Sequence, residues 1–289
     1  MENKPHILMR KHRTYSDTFR RLPRSSAFRI LAFLFFIWES LHAISVHAHQ
    51  QAALNVPPPP RNTKRIYIAA QHWNTAGILR SLWNPALLAL VKELGTDNVF
   101  VSIYESGSYD ETKDALRELD TTLEGLHVQR TIILSNISHA DEIAQQPAEQ
   151  GWVKTPVGET ELRRIPFLST IRNRVFEPLE HLTAQGEQFD TILFLNDVVF
   201  TSEDVLKLLD TNGGDYAAAC SLDFSKPPAF YDTFALRDSN GHEAVMSTWP
   251  YFRSRASRFA VERGLPVPVK SCWNGMGTFV WKHSVRAMD

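Results

Sequence analysis

Three carboxylates stand where apolar strand-like runs give out: Glu105 after "NVFVSIY", Asp197 after "TILFLN" and Asp223 after "DYAAACSL". An acid that follows the second strand of a nucleotide-binding half accepts hydrogen bonds from ribose hydroxyls. An acid after the central strand suits a hard divalent ion bridging two phosphates, because magnesium and manganese prefer oxygen and tolerate few protein ligands. Arg172-Asn173 precedes Asp197 on a helical pattern and offers a fork of donors for phosphate or a base edge. The competing reading of Asp197 is a turn residue that caps its own backbone. The chain has no GxGxxG, P-loop, HExxH, CxxC or GxSxG pattern, so none of the chemistries those carry is indicated.

Positioning such acids takes an alternating β/α framework, and the sequence has one. Residues 65–71 and 98–104 read as strands, joined by a helical segment that Pro85 interrupts and Gly95 ends. "SYDETKDALRELDTTLEGL" reads as a helix opened by a capping box of Ser108 and Glu111, and 127–134 as a third strand. Residues 138–164 look irregular. A helix over 164–186 carries Ile165, Leu168, Ile171, Val175 and Leu179 at helical spacing. Ile192–Leu195 is a buried strand, Thr201-Ser202 with Glu203-Asp204 a helix start, and 215–224 a further strand. The expectation is α/β: a Rossmann-type mixed sheet, mostly parallel, with helices on both faces.

The tail from Ser225 is richer in aromatics and prolines, which fits loops and small antiparallel strands of a substrate-binding half. Phe234 and Phe279 read as core, while Trp249, Tyr251 and Trp273 serve either packing or a sugar platform. Cys220 and Cys272 are either a disulfide or two buried thiols.

The 289 residues carry a formal net charge of -1, which gives no footing for nucleic acid. Basic residues crowd residues 1–29, ahead of an apolar segment over 30–46 and a proline-rich stretch over 47–64. That order reads as cytosolic tail, signal anchor and stem, leaving 65–289 luminal. A cleaved signal and a buried helix are the alternatives. Asn136-Ile137-Ser138 is a glycosylation sequon consistent with luminal exposure.

Six ordered stretches, "NVFVSIYESGSYDET", "RIPFLSTIRNRVFEPL", "FDTILFLNDVVF", "DYAAACSLDF", "FYDTFALRDSNGH" and "VPVKSCWNGMGTFV", resemble the fungal family of cryptococcal-type α-1,3-mannosyltransferases. The resemblance implies a GT-A-type Golgi enzyme, type II in the membrane. It implies transfer of mannose from GDP-mannose to a mannose-containing acceptor, with retained configuration and a divalent ion, Mn2+ or Mg2+. Asn196-Asp197 would stand at the metal-binding DxD element with one carboxylate, so Asp197 is the metal ligand. Glu105, Asp110, Arg172 and Asn173 would join Asn196 and Asp197 in holding the donor. Asp223, Asp232 and Asp238 are the acids expected nearest the sugar, with Trp249, Trp273 and Asn274 on the acceptor side. Family members run on past the "SCWNGM" region, so 65–289 is expected to be a C-terminally truncated domain, binding GDP but transferring mannose poorly. The alternative is a catalytically silent luminal protein that binds a nucleotide sugar or carbohydrate.

Overall fold

The structure, a computed structural model, describes residues 26–54, 64–137, 141, 151–156, 158, 160–231 and 233–281. It divides into an N-terminal helical unit and an α/β unit. Helix α1 (Ser26–Leu54) is 29 residues long. Its Ser26–His49 portion has 24 residues with mean hydropathy 1.6, enough by length and composition to cross a membrane. The helix thus runs well beyond the apolar core expected over 30–46. Membrane anchors and signal sequences both have this character.

In the α/β unit, β1 (Ile66–His72), β2 (Val99–Glu105) and β6 (Thr191–Leu195) are buried almost throughout, as continuous apolar runs between two helical layers must be. With three further strands, β3 (Gln129–Leu134), β7 (Ala218–Cys220) and β12 (Met276–Val280), they form a six-stranded sheet in the order β3-β2-β1-β6-β12-β7. Strands β3, β2, β1 and β6 run parallel; β12 lies antiparallel between β6 and β7. The mixed sheet is as expected. Its β12 falls in a stretch assigned to the loop-rich tail, where Gly275 and Gly277 interrupt the strand-forming residues.

Helices α3 (Asn84–Leu94), α4 (Thr112–Gly125) and α6 (Ser202–Leu209) cover one face, with Leu87, Leu90, Leu116, Leu119 and Val205 packed on Ile68, Val101 and Leu193. Helix α5 (Arg164–Ala184) covers the other through Val175 and Leu179, against Tyr67, Phe100 and Phe194. Its burial starts at Ile171; Ile165 is exposed. The helical segment changes register just before Pro85: a short α2 (Ala76–Ile78) and a π-helical turn over Leu79–Trp83 lead into α3, whose second residue is Pro85. Gly95 ends α3 at φ 92° as expected.

The start of α6 is a capping box between Thr201 and Asp204. The box expected at Ser108 and Glu111 does not form. Instead Asp110 accepts from the Thr112 amide at 3.0 Å, and the Ser108 hydroxyl turns to the Asn74 amide at 2.9 Å. Residues 215–224 are likewise not one strand but β7 and the start of a hairpin, β8 (Phe224–Lys226) with β9 (Ala229–Phe230). Within 138–164 the described residues include a hairpin of β4 (Trp152–Lys154) and β5 (Thr160–Leu162). Beyond β9, β10 (Arg237–Asp238) pairs with β11 (Val269–Ser271), and helix α7 (Arg255–Glu262) lies between them in sequence. Phe230, Leu236 and Phe252 form a small separate core there. Phe234, expected in a core, is 74% exposed, whereas Phe279 packs against the α5 side of the sheet.

Candidate active site

Because β12 runs antiparallel to β6 and β7, its first residue meets the last residues of both neighbours. Met276 is in register with Leu195, and Gly277 with Cys220. Three chain segments therefore converge beyond the C-terminal strand ends: 196–198, 221–223 and 273–275. A dense set of hydrogen bonds locks them together. The Asn196 amide donates to the Gly275 carbonyl at 2.8 Å, and its side-chain Nδ2 donates to the Asn274 carbonyl at 2.9 Å. Asn274 Nδ2 donates in turn to the Ser221 carbonyl. Ser221 Oγ donates to Asp223 Oδ1 at 2.6 Å and accepts from the Met276 amide at 3.1 Å. Asp223 Oδ2 accepts from the Gly275 amide. The disulfide Cys220–Cys272 closes the same two segments covalently, which decides between the two fates left open for these cysteines.

Asp197 protrudes from this lattice. It is exposed, and among the described residues no hydrogen bond or ion pair engages its carboxylate. A carboxylate that caps its own turn would be engaged, so the capping alternative is not what the chain adopts. The position is set from below by Trp83. This residue is 0% exposed, and its indole N–H donates to the Asn196 carbonyl at 2.9 Å. The π-helical turn places Trp83 there, edge-on to His72 with ring centroids 4.5 Å apart. Sequence reasoning missed Trp83, since nothing local marks a π turn. Trp83→Phe removes the indole N–H and one ring of a fully buried side chain, leaving the Asn196 carbonyl a donor short and a void beside it. The expected cost is about 2–4 kcal/mol of stability, with faster hydrogen exchange at the Asn196 amide, both readable in one exchange experiment.

Glu105 and Asp110 build a second rim. Glu105 is 0% exposed. One oxygen accepts from the Ser108 amide, and the other lies 3.9 Å from Lys113 Nζ. Glu105 thus orders the loop after β2 through one oxygen, while Oε2 is buried without a hydrogen-bond partner among the described residues. Asp110 accepts from Ala76 N at 3.1 Å and from Thr112 Oγ1 at 2.5 Å. Burial pushes its carboxyl up, but the hydrogen bonds from Thr112 and Ala76 outweigh it and hold Asp110 below the usual carboxylate range. Further hydrogen bonds join the 73–76 and 106–112 loops: Asn74 N to Ser108 Oγ at 2.9 Å, Tyr109 N to Asn74 Oδ1 at 2.9 Å and Thr75 N to Thr112 Oγ1 at 2.8 Å. This rim is therefore fixed before any ligand arrives.

His72 ends β1 opposite Glu105 in register and is 1% exposed. Burial pushes its imidazole down to about 3 from an ordinary 6.5. The unfolded chain takes up that proton below about pH 6.5 and the folded one does not, so stability is full above that value and falls as pH drops through it. The expected loss is about 2 kcal/mol at about pH 5. Thermal melts between about pH 7 and about pH 5 should show it, with a shallower slope for His72→Phe.

The remaining predicted site residues scatter. The Arg172 guanidinium lies 4.4 Å from the Trp273 ring centroid, while Asn173 is exposed on α5. Trp273 packs between Arg172, Phe194 and Phe279, with the last two rings 5.1 and 6.2 Å away, so it is a packing residue rather than an open sugar platform. Trp249 is 42% exposed beside Tyr251. Asn274 is 5% exposed and belongs to the lattice. Asp238 is a correction: it is 0% exposed, and its carboxylate accepts from the amides of Ser254, Asn240 and His242 at 2.6, 2.9 and 3.0 Å. Burial raises its carboxyl, these amides outweigh it, and the net shift is downward. Three backbone donors commit Asp238 to holding its loop, out of reach of a substrate. Asp232 lies outside the described residues.

Among the described residues no cluster of three or more His, Cys, Asp or Glu is arranged around a metal position. One exposed carboxylate that no other described residue engages still fits a hard cation whose other ligands are phosphate oxygens and water. The layout is that of an open α/β sheet whose ligand site lies past the carboxyl ends of its strands, with a carboxylate left free for a charged group. The chain belongs to the family described as Cryptococcal mannosyltransferase 1, whose family model matches residues 65–287. No curated protein matches it. Among solved structures it is similar to the mannosyltransferase PcManGT from Pyrobaculum calidifontis in complex with GDP-Man and Mn2+, at 11% identity and a TM-score of 0.35. That match covers 88% of this chain and 57% of the other, so the chain spans little more than half of that structure's length. The likeness is too slight to transfer geometry.

Proposed function

We propose that this chain is a GT-A-type glycosyltransferase that moves mannose from GDP-mannose to a mannose-containing glycan. The proposal includes an α-1,3 linkage, retained anomeric configuration and a luminal domain held in the Golgi by α1 as a type II anchor. The observation that carries it is the free Asp197 carboxylate beside the locked 221–223 and 273–275 segments, in a chain of this family. Asp197 would anchor a divalent cation, Mn2+ or Mg2+, against the diphosphate. Bound there, such a cation neutralises charge on the departing GDP.

The chain's own residues do the rest. Asn196 and Gly275 hold the Asp197 turn rigid, so its carboxylate is aimed before the donor binds. Of the three acids weighed for the sugar, Asp223 is half-buried at the site with both oxygens oriented by Ser221 and Gly275, which supports a role in orienting the transferred mannose. Arg172 and Asn173 on α5 would supply donor-side contacts, and the exposed Trp249 an acceptor surface. The test is incubation of the chain with GDP-mannose, Mn2+ and a mannose acceptor, followed by linkage analysis of the product. An α-1,3-linked mannosyl product is expected. Donor binding without any product would favour the silent sugar-nucleotide binder instead.

A further inference from the structure

We infer that α1 pairs with the α1 of a second copy of this chain inside the membrane, through reciprocal contacts of Glu39 and His42. The inference rests on the anchor reading given above. Ser26–His49 is apolar enough to span a bilayer, and Glu39 sits near its middle, exposed, with no hydrogen bond or ion pair among the described residues. An ionisable side chain at that depth has no water to turn to and is costly without a polar partner. His42 follows three residues later and so shares the helix face. Its ring stacks on Trp38 with centroids 5.7 Å apart, which holds the imidazole against the helix surface. Ser45 and His49 continue the polar side at three- and four-residue steps, and His49 Nδ1 is already taken by the Ser45 carbonyl at 2.6 Å. Glu39 and His42 are thus the donor and acceptor left to meet a neighbour.

A second copy fits this face better than an unrelated helix. Two anchors of one chain enter the membrane in the same orientation. In a two-fold pair Glu39 of each helix meets His42 of the other, one helical turn along, so both carboxyls are satisfied by both imidazoles. One helix supplies both halves of the match.

The test uses the full chain in detergent micelles or nanodiscs, labelled for energy transfer between copies. Wild-type chains should associate. Glu39→Leu and His42→Leu should each weaken association about tenfold. Because Glu39→Leu makes the span more apolar, loss of insertion does not explain such a result. The exchanged form carrying both Glu39→His and His42→Glu should associate again, since the reciprocal pair is preserved. Unchanged association in Glu39→Leu, or no recovery in the exchanged form, overturns the pairing. A mature chain beginning beyond Val46 overturns the anchor together with the pairing, whereas a membrane-held chain whose copies stay apart overturns the pairing alone.

Discussion

Asp197→Asn should weaken divalent-dependent binding of the nucleotide sugar by about 100-fold, with the melting temperature changed by no more than about 2 °C. The two halves of this expectation have separate causes. The side chain is exposed and engages no other described residue, so the fold loses nothing when its charge goes. The same freedom is what makes it useful. Of the other acids described around the strand ends, Asp110 is engaged by Thr112 and Ala76 and Asp223 by Ser221 and Gly275, while Glu105 is fully buried with one oxygen on the Ser108 amide. An amide at 197 cannot replace a carboxylate facing a cation and a diphosphate. Calorimetric titration with and without Mn2+ checks the first half, and a melt checks the second. Equal affinity in the two proteins would remove Asp197 from the site.

Gly275→Ala should lower stability by about 1–3 kcal/mol and reduce transfer about 100-fold. A Cβ at Gly275 would stand 2.2 Å from Val198 Cγ1 and 2.9 Å from Asp223 Oδ2. Val198 follows Asp197 directly, and relief of the clash has to move the turn that aims the carboxylate. Gly277 is the built-in control. Its added Cβ would meet nothing nearer than Phe279 at 3.6 Å, an ordinary contact, so Gly277→Ala should melt and turn over nearly as wild type. Identical behaviour of the two alanine variants in melting and transfer assays would show that the approach of Val198 to Gly275 does not matter.

How much of this was readable beforehand depends on how far each element's physics is local. Strands β1, β2 and β6 are sandwiched between helices, so their apolar runs are continuous and announce themselves. The position of Asp197 just past the end of β6 was legible for the same reason, since the run that ends beside it is unmistakable. Strand β12 was not, because two glycines interrupt its strand-forming residues, and only Gly275 is there for close approach at the site. The Asn196, Asn274 and Ser221 lattice joins residues distant in sequence, and no spacing rule connects them. Asp238 misled in the opposite direction. An acid that the resemblance places near the sugar looks available in sequence, and only the three surrounding amides reveal that the backbone has already claimed it. Trp273, next to Asn and Gly, had the look of a platform, but the Arg172 guanidinium and two rings cover it.

The place of β12 in the sheet also sets a schedule. It is the last strand among the described residues to leave the ribosome, yet it inserts between β6 and β7, which are made well before it. Until it arrives, the outer edge of β6 has no antiparallel partner, and the carbonyls of Gly275 and Asn274 are missing from the turn that holds Asp197. Pairings so distant along the chain form late and slowly. A nascent chain can therefore assemble its β1-β2-β3-β6 half while translation continues, but the Asp197 turn gains its holding contacts only once residues 273–280 have emerged. Synthesis of the candidate site's acids and the fixing of their geometry are separated in time.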